Sequence, residues 1–211
     1  MTNIEKRILV IFSIIYFVGA LGFIIPTLRP YFVPLTPLTI LASLIAALAF
    51  EKKIELKRIS VLLAIGIAGF FVEYAGVKTG KIFGVYEYGD TLGPGWRSIP
   101  FLIGINWMAI IYFTNGISSF LVKNKILASV GAAFLAVFYD FFLEPVAMKF
   151  GFWNWEMSTV PLQNYLAWFS LSFIFSVIYQ YNYKYTKNPL ARGIFIIQLL
   201  FFAAIFLYLR F

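Results

Sequence analysis

The sequence predicts an all-α polytopic membrane bundle of about seven transmembrane helices, with a cytoplasmic N-terminus. Three observations predict it. First, 62% of the 211 residues are apolar and only 12% are charged, whereas soluble domains carry about half and about a quarter. Second, the apolar residues fall into seven long runs, each near the ~20 residues that a bilayer core demands of a helix. Third, the basic residues are distributed unevenly between the segments that join those runs.

The runs are residues 8–28, 36–50, 59–77, 99–121, 126–148, 162–181 and 190–209. Lys6 and Arg7 before the first run resemble a signal peptide. However, the run is too long for a signal core and lacks a small-residue cleavage site, so it is read as the first span. The second run is short and follows Pro30, Pro34 and Pro37, which predicts an irregular start. None of the runs shows the alternation of a membrane barrel strand. The whole chain, 1–211, is read as a single transmembrane domain.

Lys6, Arg7, Lys52, Lys53, Lys57, Arg58, Lys123, Lys125, Lys184, Lys187 and Arg192 fall on the side of the N-terminus, and Arg29, Lys78, Lys81, Arg97, Lys149 and Arg210 on the other. Positive charge gathers on the cytoplasmic side. The N-terminus is therefore expected in the cytoplasm, and the protein in a prokaryotic cell (inner) membrane. The net charge of +8 follows from this asymmetry and from attraction to anionic lipid; no nucleic-acid partner is needed to explain it.

There is no Cys and no His. That excludes disulfides, Cys–His zinc sites, haem held by His or Cys, cysteine nucleophiles and His-containing di-iron sites. No cofactor and no metal are expected. Any chemistry rests on carboxyls, hydroxyls, amides and aromatic rings.

The acids are the informative residues. Glu5, Glu51 and Glu55 sit in Lys-rich segments, where a solvated, salt-bridged role suffices. The other six, Glu73, Glu87, Asp90, Asp140, Glu144 and Glu156, belong to the third and fifth spans or to the loops that follow them. Asp140 and Glu144 are four apart and share a helical face. Counted back at 1.5 Å per residue, Glu73, Asp140 and Glu144 lie roughly 6–12 Å inside the boundary, with Asn106 at a similar depth. A carboxylate at bilayer depth costs about 2.5–3.5 kcal/mol even on the lenient scale. Three at one level imply a shared polar pocket. The competing reading pairs them with Lys78, Lys81, Arg97 or Lys149 as plain anchors.

Both loops carry F-G-x-aromatic-x-aromatic, as Phe83-Gly84-Val85-Tyr86-Glu87-Tyr88 and Phe150-Gly151-Phe152-Trp153-Asn154-Trp155. Each is followed by a Pro and an Asn-aromatic pair, Pro100 with Asn106-Trp107 and Pro161 with Asn164-Tyr165. This suggests a degenerate parallel repeat, 59–121 and 126–181. Alternation aims Tyr86 and Tyr88 the same way, and likewise Trp153 and Trp155. The loops are read as a lid over the carboxyls, on the non-cytoplasmic side. In a dry pocket with like-charged neighbours, one carboxyl can hold its proton at neutral pH and donate it to an electron-rich alkene. Aromatic faces would steady the cation, and a second carboxylate would deprotonate water.

Residues 73–94 (E-Y-A-G-V-K-T-G-K-I-F-G-V-Y-E-Y-G-D-T-L-G-P), Asn106-Trp107, and D-F-F-L-E-P-V-A with G-F-W-N-W in residues 140–155 resemble the membrane carotenoid hydratase family, of the carotenoid 1,2-hydratase and bisanhydrobacterioruberin hydratase type. The resemblance implies a lyase that adds water across the terminal double bond of a linear carotenoid ψ-end to give a tertiary alcohol. On the positions it marks, Asp140 is expected as general acid, and Glu144 or Glu73 as base or water-orienting group. Asn106 would hold water or a carboxyl, and Tyr86, Tyr88, Trp96, Trp107, Trp153 and Trp155 would line the pocket. The expected partners are the carotenoid and the bilayer. A lycopene-cyclase-like enzyme, in which an internal alkene captures the cation, remains open, as does a non-catalytic carotenoid-binding or transport protein. A retinal protein is set aside because the last span has no Schiff-base lysine.

Overall fold

The computed structural model describes residues 1–51, 55–182 and 188–210. Among them are seven helical stretches long and apolar enough to cross a membrane, in the expected order. Of the basic residues counted above, Lys52, Lys53, Lys184 and Lys187 lie outside the described residues.

Helix α1 (Asn3–Ile24) starts at a capping box, in which the Thr2 side chain accepts from the Glu5 amide and Glu5 accepts from the Thr2 amide. It ends four residues before the predicted limit. Pro26 forces the preceding Ile25 into extended backbone (φ −81°, ψ 115°). Arg29 then returns to cap the exposed carbonyls, its Nε 2.8 Å from Phe23 O and an Nη 3.0 Å from Ile24 O. The second span begins earlier than predicted and is stepped. A short helix α2 (Arg29–Phe32), a 3₁₀ turn (Val33–Leu35) and α3 (Thr36–Ala49) follow one another, each with a proline in its first turn. Proline is tolerated there because those amides have no intrahelical acceptor.

The remaining helices are α4 (Leu56–Thr79), α5 (Phe101–Leu121), α6 (Lys125–Lys149), α7 (Leu162–Asn182) and α8 (Pro189–Arg210). Asn124 caps α6 by accepting from the Ile126 and Leu127 amides at 3.0 and 3.1 Å. Helix α5 starts later than predicted because Ile99–Pro100 pair instead as a short strand β3 with β2 (Gly95–Trp96). Helix α6 packs against α5, α7 and α8; α4 packs on α5 and α7; α1 and α3 each pack on α8.

The two lid loops meet. Strand β1 (Tyr86–Tyr88) pairs antiparallel with β4 (Trp153–Trp155), in the register Tyr86 to Trp155, Glu87 to Asn154 and Tyr88 to Trp153. Gly84 and Gly151, at matching places in the two motifs, both adopt positive φ (116° and 70°). That is the left-handed bend that turns each loop back over its own helix, and glycine adopts it without a Cβ penalty. The pleat sends Glu87 and Asn154 outward to solvent exposure, and buries Tyr86, Trp153 and Trp155 against the bundle.

At the opposite end, Glu51 is buried rather than solvated, which corrects the sequence expectation for that residue. Arg58 lies 3.0 Å from its Oε1, and the Tyr112 hydroxyl donates to Oε2 at 2.6 Å. Asn188 donates to the Tyr112 oxygen and to Ala47 O at 2.8 and 2.7 Å. The cluster ties the ends of α3, α4, α5 and α8 together. Glu5, buried in its capping box, is likewise not solvated, while Glu55 is exposed.

Candidate active site

Glu73 and Glu144 approach the sheet β1–β4 from different helices, about 9 Å and about 8 Å from the helix ends at Thr79 and Lys149. Each accepts three neutral donors. The hydroxyls of Tyr86 and Tyr88 donate to Glu73 Oε2, the latter at 2.9 Å, and Trp107 Nε1 donates to Oε1 at 3.1 Å. Trp153 and Trp155 donate through their indole N–H groups to Glu144 Oε2 at 2.9 and 2.8 Å, and Asn164 Nδ2 donates to Oε1 at 3.1 Å. The two strands thus serve one acid each: the tyrosines of β1 hold Glu73 and the tryptophans of β4 hold Glu144.

Local sequence explains the fit. Trp107 reaches Glu73 because it lies over Gly69, one helical turn earlier on α4. A Cβ on Gly69 would stand 2.5 Å from Trp107 Cδ1, a distance that no side chain tolerates. Burial and the adjacent Glu73 push the Tyr86 and Tyr88 phenols well above their ordinary range. Both therefore stay neutral hydrogen-bond donors through the alkaline range. Among the described residues, no Lys or Arg forms an ion pair with Glu73, Asp140 or Glu144. Lys78 and Arg97 instead lie over the rings of Tyr74 and Trp96.

Between the two glutamates lies a cavity of about 20 Å³, lined by Glu73, Tyr86, Asn106, Glu144, Asn164 and Trp168, among others. A site needs ~10–15 Å³ and two to four polar partners to hold one water, so this chamber is matched to a single molecule. Its apolar walls are aromatic: Trp107 stacks on Trp168 at 4.5 Å between centroids, and Tyr86 meets Trp155 at 4.8 Å.

The structure brings together Glu73, Glu144, Asn106, Tyr86, Tyr88, Trp107, Trp153 and Trp155. Two expectations are corrected in position. Trp96 is 45% exposed and packs outside, against Phe71 and Tyr74; strand β2 pairs only with β3 and carries it away from the chamber. Asp140 is fully buried and near the chamber, but not on its wall. Asn164 donates to Asp140 Oδ2 at 2.9 Å and to Glu144 with the same amide nitrogen, so Asp140 stands one layer behind. Among the described residues its Oδ1 has no hydrogen-bond partner. Asn164 and Trp168 also line the chamber and are not among the site residues expected from sequence; the repeat correspondence of Asn164 with Asn106 is the sequence signal that points to it.

This arrangement, an aromatic chamber with two carboxyls on its wall in a seven-helix bundle, sits inside a segment that defines a class. Residues 34–210 match the model of the carotenoid biosynthesis protein family, and the chain belongs to that family. It is also 29% identical over 118 residues to the bisanhydrobacterioruberin hydratase of Haloarcula japonica. The match takes in 51% of this chain and 39% of that relative's length, so the chain spans well under two thirds of it. No solved structure matches.

Proposed function

We propose that this protein is a cofactor-independent hydratase of the lyase class, which adds water to the terminal carbon–carbon double bond of a linear carotenoid ψ-end. The observation that carries the reading is the pair of carboxyls facing one water-sized chamber, each held by three neutral donors and neither by a cation. Such a site can lend and take back a proton, which an ion pair cannot. A distant relative that bears the name of a carotenoid hydratase supports the substrate class.

The proton donor belongs on the Asp140–Asn164–Glu144 side. Two carboxyls linked through one amide nitrogen repel each other when both are charged, and share a proton readily. The end group enters as the chamber widens, because about 20 Å³ holds no more than a water; Glu144, on the wall, then transfers the proton to the less substituted alkene carbon, the π bond breaks and a C–H bond forms. The tertiary cation lies among the faces of Trp107, Trp168 and Trp155, which stabilise positive charge. Water forms the C–O bond, and Glu73 accepts the proton that water loses. A water bridging the two carboxyls returns that proton to Glu144, so the net reaction is addition of one water. Asp140 acts as a positioning residue through Asn164. Asn106, on the chamber wall, holds the attacking water. The lid end faces away from the cytoplasm of a prokaryotic cell, as the distribution of basic residues supports.

Expression in a host that accumulates lycopene or γ-carotene tests the reading. The expected product is heavier than the substrate by one water. An isomer of unchanged mass would support the cyclase reading and overturn this one, and no change in pigment with protein present in the membrane would overturn both.

A further inference from the structure

The chamber does not end at the glutamates. Ile103, Asn106 and Trp153 line it and also line a second small cavity of about 20 Å³ beside it. Thr36, Ile40, Tyr139 and Phe202 line that second cavity and also a third, of about 90 Å³, which lies among α1, α3, α6 and α8. The three form one series, polar at the Glu73–Glu144 end and apolar at the other.

The apolar end opens sideways. Ile15 on α1 and Leu35 beside α3 border the third cavity and are 41% and 48% exposed on the face that meets lipid. Both α1 and α3 rest on α8, which leaves a cleft between them. The cleft is closed at one end by a hydrogen-bonded latch: Tyr16 bonds Ser43 at 2.9 Å, and Gln198 donates to the Tyr16 oxygen at 2.7 Å. Along α1 from Ile15 to Phe23 the cleft runs about 12 Å. Rings furnish its walls, with Phe23, Phe32, Tyr139, Phe201 and Phe202 among them. Flat aromatic faces pack well on a conjugated chain.

We infer that the cleft between α1 and α3 is the lateral port and binding groove for an acyclic polyene: the terminal segment slides in from the bilayer past Thr39 and Ile40, and its end group passes Asn106 to reach the glutamates. This inference rests on the hydratase reading for the identity of the occupant. It gives a role to the partly buried Asn106, which lines both cavities where they adjoin. It also explains why the apolar cavity and the polar one are each separated only by shared walls from the small cavity between them. The remainder of the long substrate stays in lipid, so the groove needs to hold only the end.

The chain contains no cysteine, so Thr39→Cys places one thiol in the groove. Leu207→Cys, on a lipid-exposed face of α8, serves as the reference. Each variant in phosphatidylcholine vesicles is treated with a small methanethiosulfonate, which converts the thiol to a mixed disulfide and releases methanesulfinate, with and without a linear carotenoid such as lycopene. Carotenoid at about ten times its Kd should slow modification of Thr39→Cys about tenfold and leave Leu207→Cys unchanged. Adding Ile40→Trp, which fills the groove, should abolish the protection. Equal rates with and without carotenoid at Thr39→Cys, or equal slowing at both positions, overturn the groove. Product analysis of the same vesicles separates the two claims. Protection without alcohol leaves the groove standing and removes the hydratase reading, whereas alcohol without protection does the reverse.

Discussion

The two ends of this bundle solve the same problem differently. At one end Glu51 is buried and meets Arg58 at 3.0 Å. At the other, Glu73 and Glu144 are buried and meet only phenols, indoles and an amide. A buried ion pair fixes both charges, because losing either proton balance leaves a lone charge in a dry place. Neutral donors satisfy the oxygens and leave the protons free to move. The first arrangement ties helices together, and the second is the one the proposed acid–base chemistry requires. Burial of an acid alone does not mark a site; the chemical nature of its partners does.

That contrast can be broken from the chemical side. Glu144→Gln and Glu73→Gln each preserve shape and remove one proton-transfer group. Each is expected to lower carotenoid alcohol formation by about 100- to 10,000-fold, measured by pigment mass analysis, with the thermal midpoint little changed. From the structural side, Arg58→Leu leaves Glu51 buried without its cation. It should cost about 3–5 kcal/mol of stability, read by thermal unfolding in detergent, while the protein that stays folded keeps its activity. Smaller effects sharpen the picture. Trp155→Phe or Tyr88→Phe removes one donor to a chamber carboxyl and should reduce turnover about tenfold, in line with a hydrogen bond to a charged group. Trp96→Phe, outside the chamber, should change turnover by less than about twofold, as surface substitutions do.

Much of this was legible in the sequence, and the reasons are physical. Span number and order follow from apolar length, which the bilayer sets. The lid was legible because β alternation and the repeated F-G-x-aromatic pattern use positions that a strand and a left-handed glycine dictate. What sequence could not supply was lateral placement. Glu51 looks solvated in a Lys-rich segment until α3, α4 and α5 converge on it. Trp96 looks like a lid residue until the Gly95–Pro100 pairing turns it outward. Asp140 and Glu144 share a helical face in any reading, yet only the packed bundle shows that Glu144 lines the chamber and Asp140 does not. Pro26, by contrast, is a signal that the sequence carries in plain view. It shortens the first helix and lets Arg29 cap it.

The most direct test of the central claim uses oxygen-labelled water. The protein in lipid vesicles is supplied with a linear carotenoid under anaerobic conditions, and the product is analysed by mass spectrometry. The account predicts a tertiary alcohol whose new oxygen carries the label, formed by the native chain and lost in Glu73→Gln and Glu144→Gln. An unlabelled oxygen, a product of unchanged mass, or an alcohol still formed at full rate by both variants would contradict it.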